Sequence, residues 1–156
     1  MQRCQLHKRR NLKDHLPKEC QADYDRQLRN AYAMTGYTDA QAALQRIWRQ
    51  LCEVNPSAAR SLEEGMEETL TLHRLGVGTL LRRSLSSTNI IESCLSTVRQ
   101  VARNVKRWHG GDHVARWTAA GLLEAEKKFR KVKGYRELKV LAEKLNPGLH
   151  SQAQVA

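Results

Sequence analysis

The stretch STNIIESCLSTVRQVARNVKRW, residues 87–108, shows the pattern that decides the fold. Its apolar residues recur every three or four positions, which is typical of an amphipathic helix. They are Ile91, Leu95, Val98, Val101, Ala102, Val105 and Trp108. The opposite surface of the predicted helix carries Arg99, Arg103, Lys106 and Arg107. We expect the apolar face to pack, and the basic face either to contact phosphates or simply to be solvated.

The same periodicity continues through most of the chain and predicts a mainly α fold, because no alternating strand pattern follows residue 20. Helices are predicted over residues 21–34, from Thr38 to the Asn55-Pro56 break, and from a Ser57 cap to Leu70. The apolar face of the first is predicted to carry Tyr24, Leu28, Ala31 and Tyr32, and that of the second Ala40, Ala43, Leu44, Ile47, Trp48 and Leu51. Residues 75–87 are predicted to be a connector. The helix of the opening stretch is predicted to end at residues 109–112, and two further helices are predicted before Pro147.

Length and composition are those of one ordinary domain, since the chain has 156 residues and 40% hydrophobic content. It has no apolar run of about 18 residues and no apolar signal-peptide core, so we expect a cytoplasmic protein without a membrane partner. The four cysteines are widely spaced and are predicted to be free thiols.

The net charge points to a polyanionic partner. The chain has 27 Lys and Arg against 16 Asp and Glu, a formal charge of +11. The excess is +4 over residues 1–20 and +9 over residues 81–156, whereas the residues between carry −2. Because the basic residues are spread over several segments rather than one amphipathic anchor, we expect DNA rather than a membrane surface.

Glu92, at the start of the opening helix, has two interpretations. Asn89 is a good N-cap residue, and Glu92 three residues later completes an analogue of the capping box. A carboxylate near Arg99 and Arg103 is also suited to hold a divalent metal ion beside a phosphodiester. Position alone does not decide between them.

The N-terminal segment contains a second group of polar residues. Cys4 and His7 are followed by His15 and Cys20, but this spacing gives only half of a common zinc site. Otherwise Cys4 and His7 are neighbours in the packing, and the charge that meets phosphate comes from Lys8, Arg9 and Arg10 with Lys13. Elsewhere, Trp48, Trp108 and Trp117 fall on apolar stripes, which favours core packing over base stacking.

Two of these segments resemble one family, the bacterial Mutator-type insertion-sequence transposases. QRCQLHKRRNL, with Cys4 and His7, is similar to the family's Cys-Xaa-Xaa-His segment, and SSTNIIES, with Asn89 and Glu92, is similar to its Thr-Asn-Xaa-Ile-Glu-Ser segment. Their order fits, and residues 103–135 resemble the family's C-terminal region.

The resemblance implies an RNase H-like, retroviral-integrase-like catalytic fold that cleaves and joins DNA. Two aspartates and one glutamate bind two Mg²⁺ or Mn²⁺ ions there, and the glutamate position falls on Glu92. It also implies a helical insertion, here about residues 21–83. Both aspartates precede the Cys-Xaa-Xaa-His segment in the family, so we expect a C-terminal part that lacks them and most of the sheet.

The expected organisation is a basic remnant with the Cys-Xaa-Xaa-His motif over residues 1–20, the insertion over 21–83, the glutamate helix and C-terminal helices over 84–150, and a frayed tail over 151–156. We expect a DNA-binding protein of bacterial transposition, associated with the nucleoid. Alone, it is expected to be inactive and to bind no metal tightly. The alternative is a helical interaction module that binds itself or a full-length transposase, and a metal-dependent nuclease is disfavoured because the aspartates are absent.

Overall fold

The structure of the protein is a computed structural model that describes residues 1–146. All regular structure in this range is helical, which confirms the predicted mainly α fold. The α-helices of these residues are α1 Gln5–Asp14, α2 Lys18–Ala33, α3 Tyr37–Val54, α4 Pro56–Glu63, α5 Met66–Thr69, α6 Thr71–Arg74, α7 Thr79–Leu85, α8 Asn89–Val101, α9 Gly110–Glu126 and α10 Leu138–Leu145. Two 3₁₀ helices span Ala102–Asn104 and Tyr135–Glu137. The predicted tail, residues 151–156, and the predicted segment end at residue 150 lie outside the described residues.

The chain divides into two compact units. Unit 1 consists of Met1–Ser87 together with the described residues from Val132 onward, and unit 2 is Thr88–Lys131. Unit 2 is therefore one continuous segment inserted into the sequence of unit 1. The expected boundary after residue 83 lies close to this division, whereas the one after residue 20 lies within unit 1.

The main core of unit 1 is built by the first helices of the chain. α2 buries Tyr24, Leu28, Ala31 and Tyr32, and α3 buries Ala40, Ala43, Leu44, Ile47 and Leu51. These are the faces that the periodicity predicts, and Trp48 packs partly buried against them, as expected. Leu12 of α1 is fully buried in the same cluster, so the basic N-terminal segment contributes to this core.

The predicted helix from Ser57 to Leu70 is broken in the structure. Asn55, not Ser57, caps α4, because its side chain accepts a hydrogen bond from the Ala58 N–H at 3.0 Å. α4 ends at Glu63, and Gly65 then adopts φ +69°, a conformation that glycine allows at little cost. The Arg3 side chain occupies the space where a Cβ of residue 65 would lie.

The predicted connector over residues 75–87 contains a helix, α7, which the weak periodicity did not reveal. Leu81 of α7 is fully buried with Leu72, Val77 and Leu141 in a second cluster of unit 1. Gly134, at φ +76°, lets the chain pass close to α7, because a Cβ there would lie 2.5 Å from the Leu81 nitrogen.

A buried arginine and a buried histidine contact the backbone carbonyl groups at the C-terminal end of α2. The Arg82 guanidinium donates hydrogen bonds to the carbonyl oxygens of Met34, at 2.9 Å, and Thr35, at 3.1 Å. The His73 ring nitrogen Nε2 lies 3.2 Å from the Tyr32 carbonyl oxygen. These donors satisfy carbonyl groups at the end of the helix, and the positive charge of Arg82 is favourable at this end of the helix dipole.

Unit 2 consists mainly of two helices, α8 and α9, that pack together. Gly121 of α9 makes the close approach possible, because a Cβ there would lie 2.7 Å from the Val98 Cα. The predicted continuous helix to Trp108 is wrong: α8 ends at Val101, the 3₁₀ turn follows, and Val105 is extended. Gly110 and Gly111 begin α9 instead of ending α8.

The predicted burial of the α8 stripe is also wrong, since no residue of α8 is buried. Ile91 is 62% exposed and Leu95 43% exposed. A two-helix unit has too few layers to cover both sides of its helices.

Among residues 1–146, no helix has the length and apolar character needed to cross a membrane.

Candidate nucleic-acid interface

Glu92 lies in the first turn of α8 and is exposed to solvent. Thr88, not the predicted Asn89, is the N-cap residue, and Asn89 is the first residue of the helix. The Glu92 N–H donates to the Thr88 carbonyl at 2.9 Å, and the Thr88 hydroxyl donates to the Glu92 carboxylate at 2.5 Å. The carboxylate therefore faces the N-terminal end of the helix, where its negative charge is favourable.

The residues around Glu92 do not fit the two-metal site that the family resemblance implies. Such a site needs several oxygen ligands, usually carboxylates contributed by different parts of the chain. Across residues 1–146, no group of three or more His, Cys, Asp or Glu side chains is placed to hold a metal ion.

The predicted basic residues of the opening stretch lie at the end of α8 and in the link that follows it. Arg99 is in the last turn of α8, Arg103 is in the 3₁₀ turn, and Lys106 and Arg107 precede α9. All four are exposed, and none of them forms an ion pair with any residue that the structure describes. Their charges are available to an anionic partner.

The N-terminal basic residues are placed differently. Lys8 is only 5% exposed, and its ammonium group donates to the carbonyl oxygens of Ser61 and Glu64 at the end of α4. Burial lowers the pKa of the Lys8 ammonium group. Arg9 makes two hydrogen bonds of 2.9 Å to the buried carboxylate of Asp25. The structure therefore removes Lys8 and Arg9 from the candidate surface, while Arg10 remains exposed.

The Cys-Xaa-Xaa-His motif begins α1. Cys4 is the N-cap residue, and its sulfur accepts a hydrogen bond from the His7 N–H at 3.5 Å. His15 lies beside the Ser57 hydroxyl, with 2.9 Å between Nδ1 and Oγ, and Cys20 packs against the main core. These four side chains are not gathered into a zinc site in the described residues.

Sequence reasoning missed a cluster of two histidines and two tryptophans in unit 2. His113 of α9 is its centre, with ring centroids 5.9 Å from Trp108, 5.9 Å from His109 and 6.4 Å from Trp117. The Trp117 indole N–H lies 2.9 Å from His113 Nε2, and the His109 backbone N–H lies 3.2 Å from His113 Nδ1. The four-residue spacing of 109, 113 and 117 is the signal that could have revealed it.

Trp108 differs from the other tryptophans, because 48% of its surface is exposed. Its predicted burial is wrong, since the helix that would have carried it inward ends at Val101. Trp48 and Trp117 are both partly buried.

Comparison with known proteins shows the family. Residues 1–132 match the family model described as transposase, Mutator family, and this match covers most of the chain. Searches among curated proteins and among solved structures returned no match. The matched region contains α8 with Glu92, the four exposed basic residues that follow it, and the whole of unit 2. The chain therefore belongs to the Mutator family of transposases, and its function is connected with DNA transposition.

Proposed function

We propose that this protein binds DNA in transposition through the basic link of unit 2, defined as Arg99, Arg103, Lys106 and Arg107. One observation carries the proposal: four exposed basic side chains follow one another over nine residues, and no described carboxylate pairs with them. Phosphate groups are the anions that a transposase encounters, and Arg and Lys bind them without regard to base sequence.

The charge of unit 2 supports the same interpretation. Residues 88–131 contain nine Lys and Arg and four Asp and Glu, a net charge of +5. A net positive field of this kind speeds association with a polyanion and concentrates it near the surface. The proposed place of action is the bacterial nucleoid, in the cytoplasm.

We further propose that α8 corresponds to the glutamate-bearing helix of an RNase H-like transposase domain. The support is the motif that opens the helix, in which Thr88 and Glu92 are joined by a hydrogen bond. Because residues 1–146 contain no group of three or more His, Cys, Asp or Glu side chains that could hold a metal ion, we expect this chain to cut no DNA by itself and to bind Mg²⁺ or Mn²⁺ weakly. Nicking that requires Mg²⁺ or Mn²⁺ and disappears in Glu92→Gln would contradict this expectation.

The test of DNA binding is a salt series with a short labelled duplex. The parent is compared with the triple variant Arg99→Gln, Arg103→Gln, Lys106→Gln. Each phosphate contact adds about 0.9 to the slope of log K against log salt concentration, so the variant should lose about two to three units of slope.

The matched control removes three charges from unit 1 instead. Arg46, Arg49 and Arg60 are exposed and form no ion pair with the described residues, so their change to Gln lowers the net charge equally. The control should keep the parent's slope. Equal slopes for both triple variants would show that only overall charge matters, and the proposed surface would be abandoned.

The exposed apolar side chains of unit 2 favour a second candidate function, binding another protein chain. Ile91 and Leu123 are each 62% exposed, and Phe129 is 58% exposed. Side chains of this kind mark interaction surfaces when they are contiguous. A second copy of the chain is the simplest partner, so light scattering over a range of protein concentrations should then show a dimer that Ile91→Ser with Leu123→Ser dissociates.

A further inference from the structure

Trp108 has an exposed aromatic ring and follows two basic residues in the sequence. It lies immediately after Lys106 and Arg107 in the link between α8 and α9. About half of its surface is open to solvent, although tryptophan usually buries most of its large apolar area.

The ring is nevertheless held in place. It lies 5.9 Å from the His113 ring, at an interplanar angle of 54°. His113 is positioned in turn by Trp117, whose ring meets it edge-on and whose indole N–H lies 2.9 Å from Nε2. An aromatic side chain that is already ordered loses little conformational freedom when a ligand covers it.

We propose that Trp108 is a stacking platform for an unpaired nucleobase of DNA. This inference rests on the proposed function, because it assumes that the basic link binds the phosphates. It goes beyond that function by adding a base contact, which phosphate contacts do not provide. Bases inside a duplex are already stacked on their neighbours, so the ligand is a single-stranded stretch or an unpaired end.

The chemistry of the surrounding residues favours a nucleobase over an apolar protein segment. Trp108 is preceded by Lys106 and Arg107, both of them exposed. Cationic side chains next to an aromatic ring form the combination that single-stranded nucleic acid requires, with phosphates on the cations and a base on the ring. An apolar protein partner would have to desolvate these charges without compensation.

The test uses two oligonucleotides of equal length and equal charge, one of oligodeoxythymidine and one of abasic sites, each of about ten nucleotides. The parent should bind the thymidine oligomer at least about fivefold more tightly than the abasic one, because stacking one base contributes that much. The salt slopes of the two should be equal, since the phosphates are the same.

Variants of Trp108 test whether its ring causes the difference in affinity between the two oligomers. Trp108→Leu should abolish the difference between the two oligomers and leave abasic binding unchanged, whereas Trp108→Tyr should retain most of the difference. Trp48→Phe, in unit 1, is the control and should behave like the parent. The comparison of oligomers on the parent needs no variant, so it stands even where Trp108→Leu fails to fold.

The outcomes separate this inference from the function on which it rests. If the parent binds both oligomers equally, with a steep salt slope, stacking is overturned while DNA binding stands. Stacking on Trp108 is also overturned if Trp108→Leu keeps the preference for the thymidine oligomer, and DNA binding again stands. If neither oligomer nor duplex binds at low salt, the proposed function fails and the stacking inference fails with it.

Discussion

His73 is a buried histidine whose protonation should affect stability. Only 4% of its surface is exposed, and its Nε2 lies 3.2 Å from the Tyr32 carbonyl oxygen, which can only accept, so Nε2 carries a proton. Burial lowers the pKa of His73, and the neighbouring Arg82 lowers it further, although hydrogen bonds to backbone carbonyls oppose this. The folded protein therefore holds the His73 proton less tightly than the unfolded chain does.

The consequence is a loss of stability at acidic pH. Where the unfolded chain is protonated and the folded protein is not, unfolding takes up a proton, so stability falls as the pH decreases. The loss should begin near pH 6.5, the ordinary pKa of histidine, and continue to the lower folded-state pKa. The melting temperature should therefore fall as the pH is lowered from 7.5 to 5, a range of about 2.5 units that includes the ordinary pKa of histidine.

His73→Gln is the matched variant, because glutamine can donate a hydrogen bond but does not titrate. Its melting temperature should fall less than that of the parent over the same pH range. Parallel curves for the two proteins would show that His73 does not contribute to the pH dependence.

At the scale of the helices, the close contact between α8 and α9 should be sensitive to one added side chain. A Cβ at Gly121 would lie 2.7 Å from the Val98 backbone, which cannot move as a flexible side chain can. Gly121→Val should therefore separate the helices and destabilise unit 2 by about 1–3 kcal/mol. Hydrogen exchange of the amides in Gly110–Glu126 should accelerate, while that of α3 stays unchanged.

Ala120→Val controls for the low helix propensity of valine, since Ala120 lies on the exposed surface of the same helix. Its exchange rates should stay close to those of the parent. If the two variants behave alike, helix propensity rather than the contact with Val98 explains the effect.

The helices whose faces could be predicted from sequence are those with one long apolar stripe. α2 and α3 each run for more than four turns, and their buried apolar residues are among the predicted ones, although the burial of Asp25 in α2 was not predicted. The break after α4 was missed because the helical periodicity continues past Gly65, whose left-handed conformation follows the end of the helix. α7 was not predicted, because its seven residues are too few to show a recognisable helical periodicity.

The parts of the candidate site that are formed by residues close together in the sequence could be predicted. The basic link is a run within nine residues, so its charge is visible in the sequence. The burial of Lys8 is not visible, because its acceptors, the carbonyls of Ser61 and Glu64, belong to another helix. The exposure of Trp108 also depended on where α8 ends, which helical periodicity does not specify.

At the scale of the whole molecule, unit 1 should fold without unit 2. The two points where the chain leaves and re-enters unit 1 are near each other, because the Ser84 hydroxyl donates to the Lys133 carbonyl at 3.2 Å. Replacing residues 88–131 by a short Gly-Ser linker should therefore shift the melting temperature of unit 1 by less than about 5 °C. The shortened protein should also lose the salt-dependent duplex binding that the basic link is proposed to provide.

A second version with a linker twice as long tests whether strain in the linker contributes. Both versions should give the same melting temperature and the same helical circular dichroism per residue. An unfolded product with either linker would show that unit 1 depends on unit 2 for its stability.

The two hydrogen-bond contacts of His113 impose a condition on its ring. Both donors, the Trp117 indole N–H and the His109 backbone N–H, point at ring nitrogens, yet a neutral imidazole has a lone pair on only one of them. Each tautomer of His113 therefore satisfies a different donor. With the proton on Nδ1 the ring is anchored to Trp117 on α9, and with the proton on Nε2 it is anchored to the backbone beside Trp108. The position of a single proton thus sets which end of the cluster is tethered.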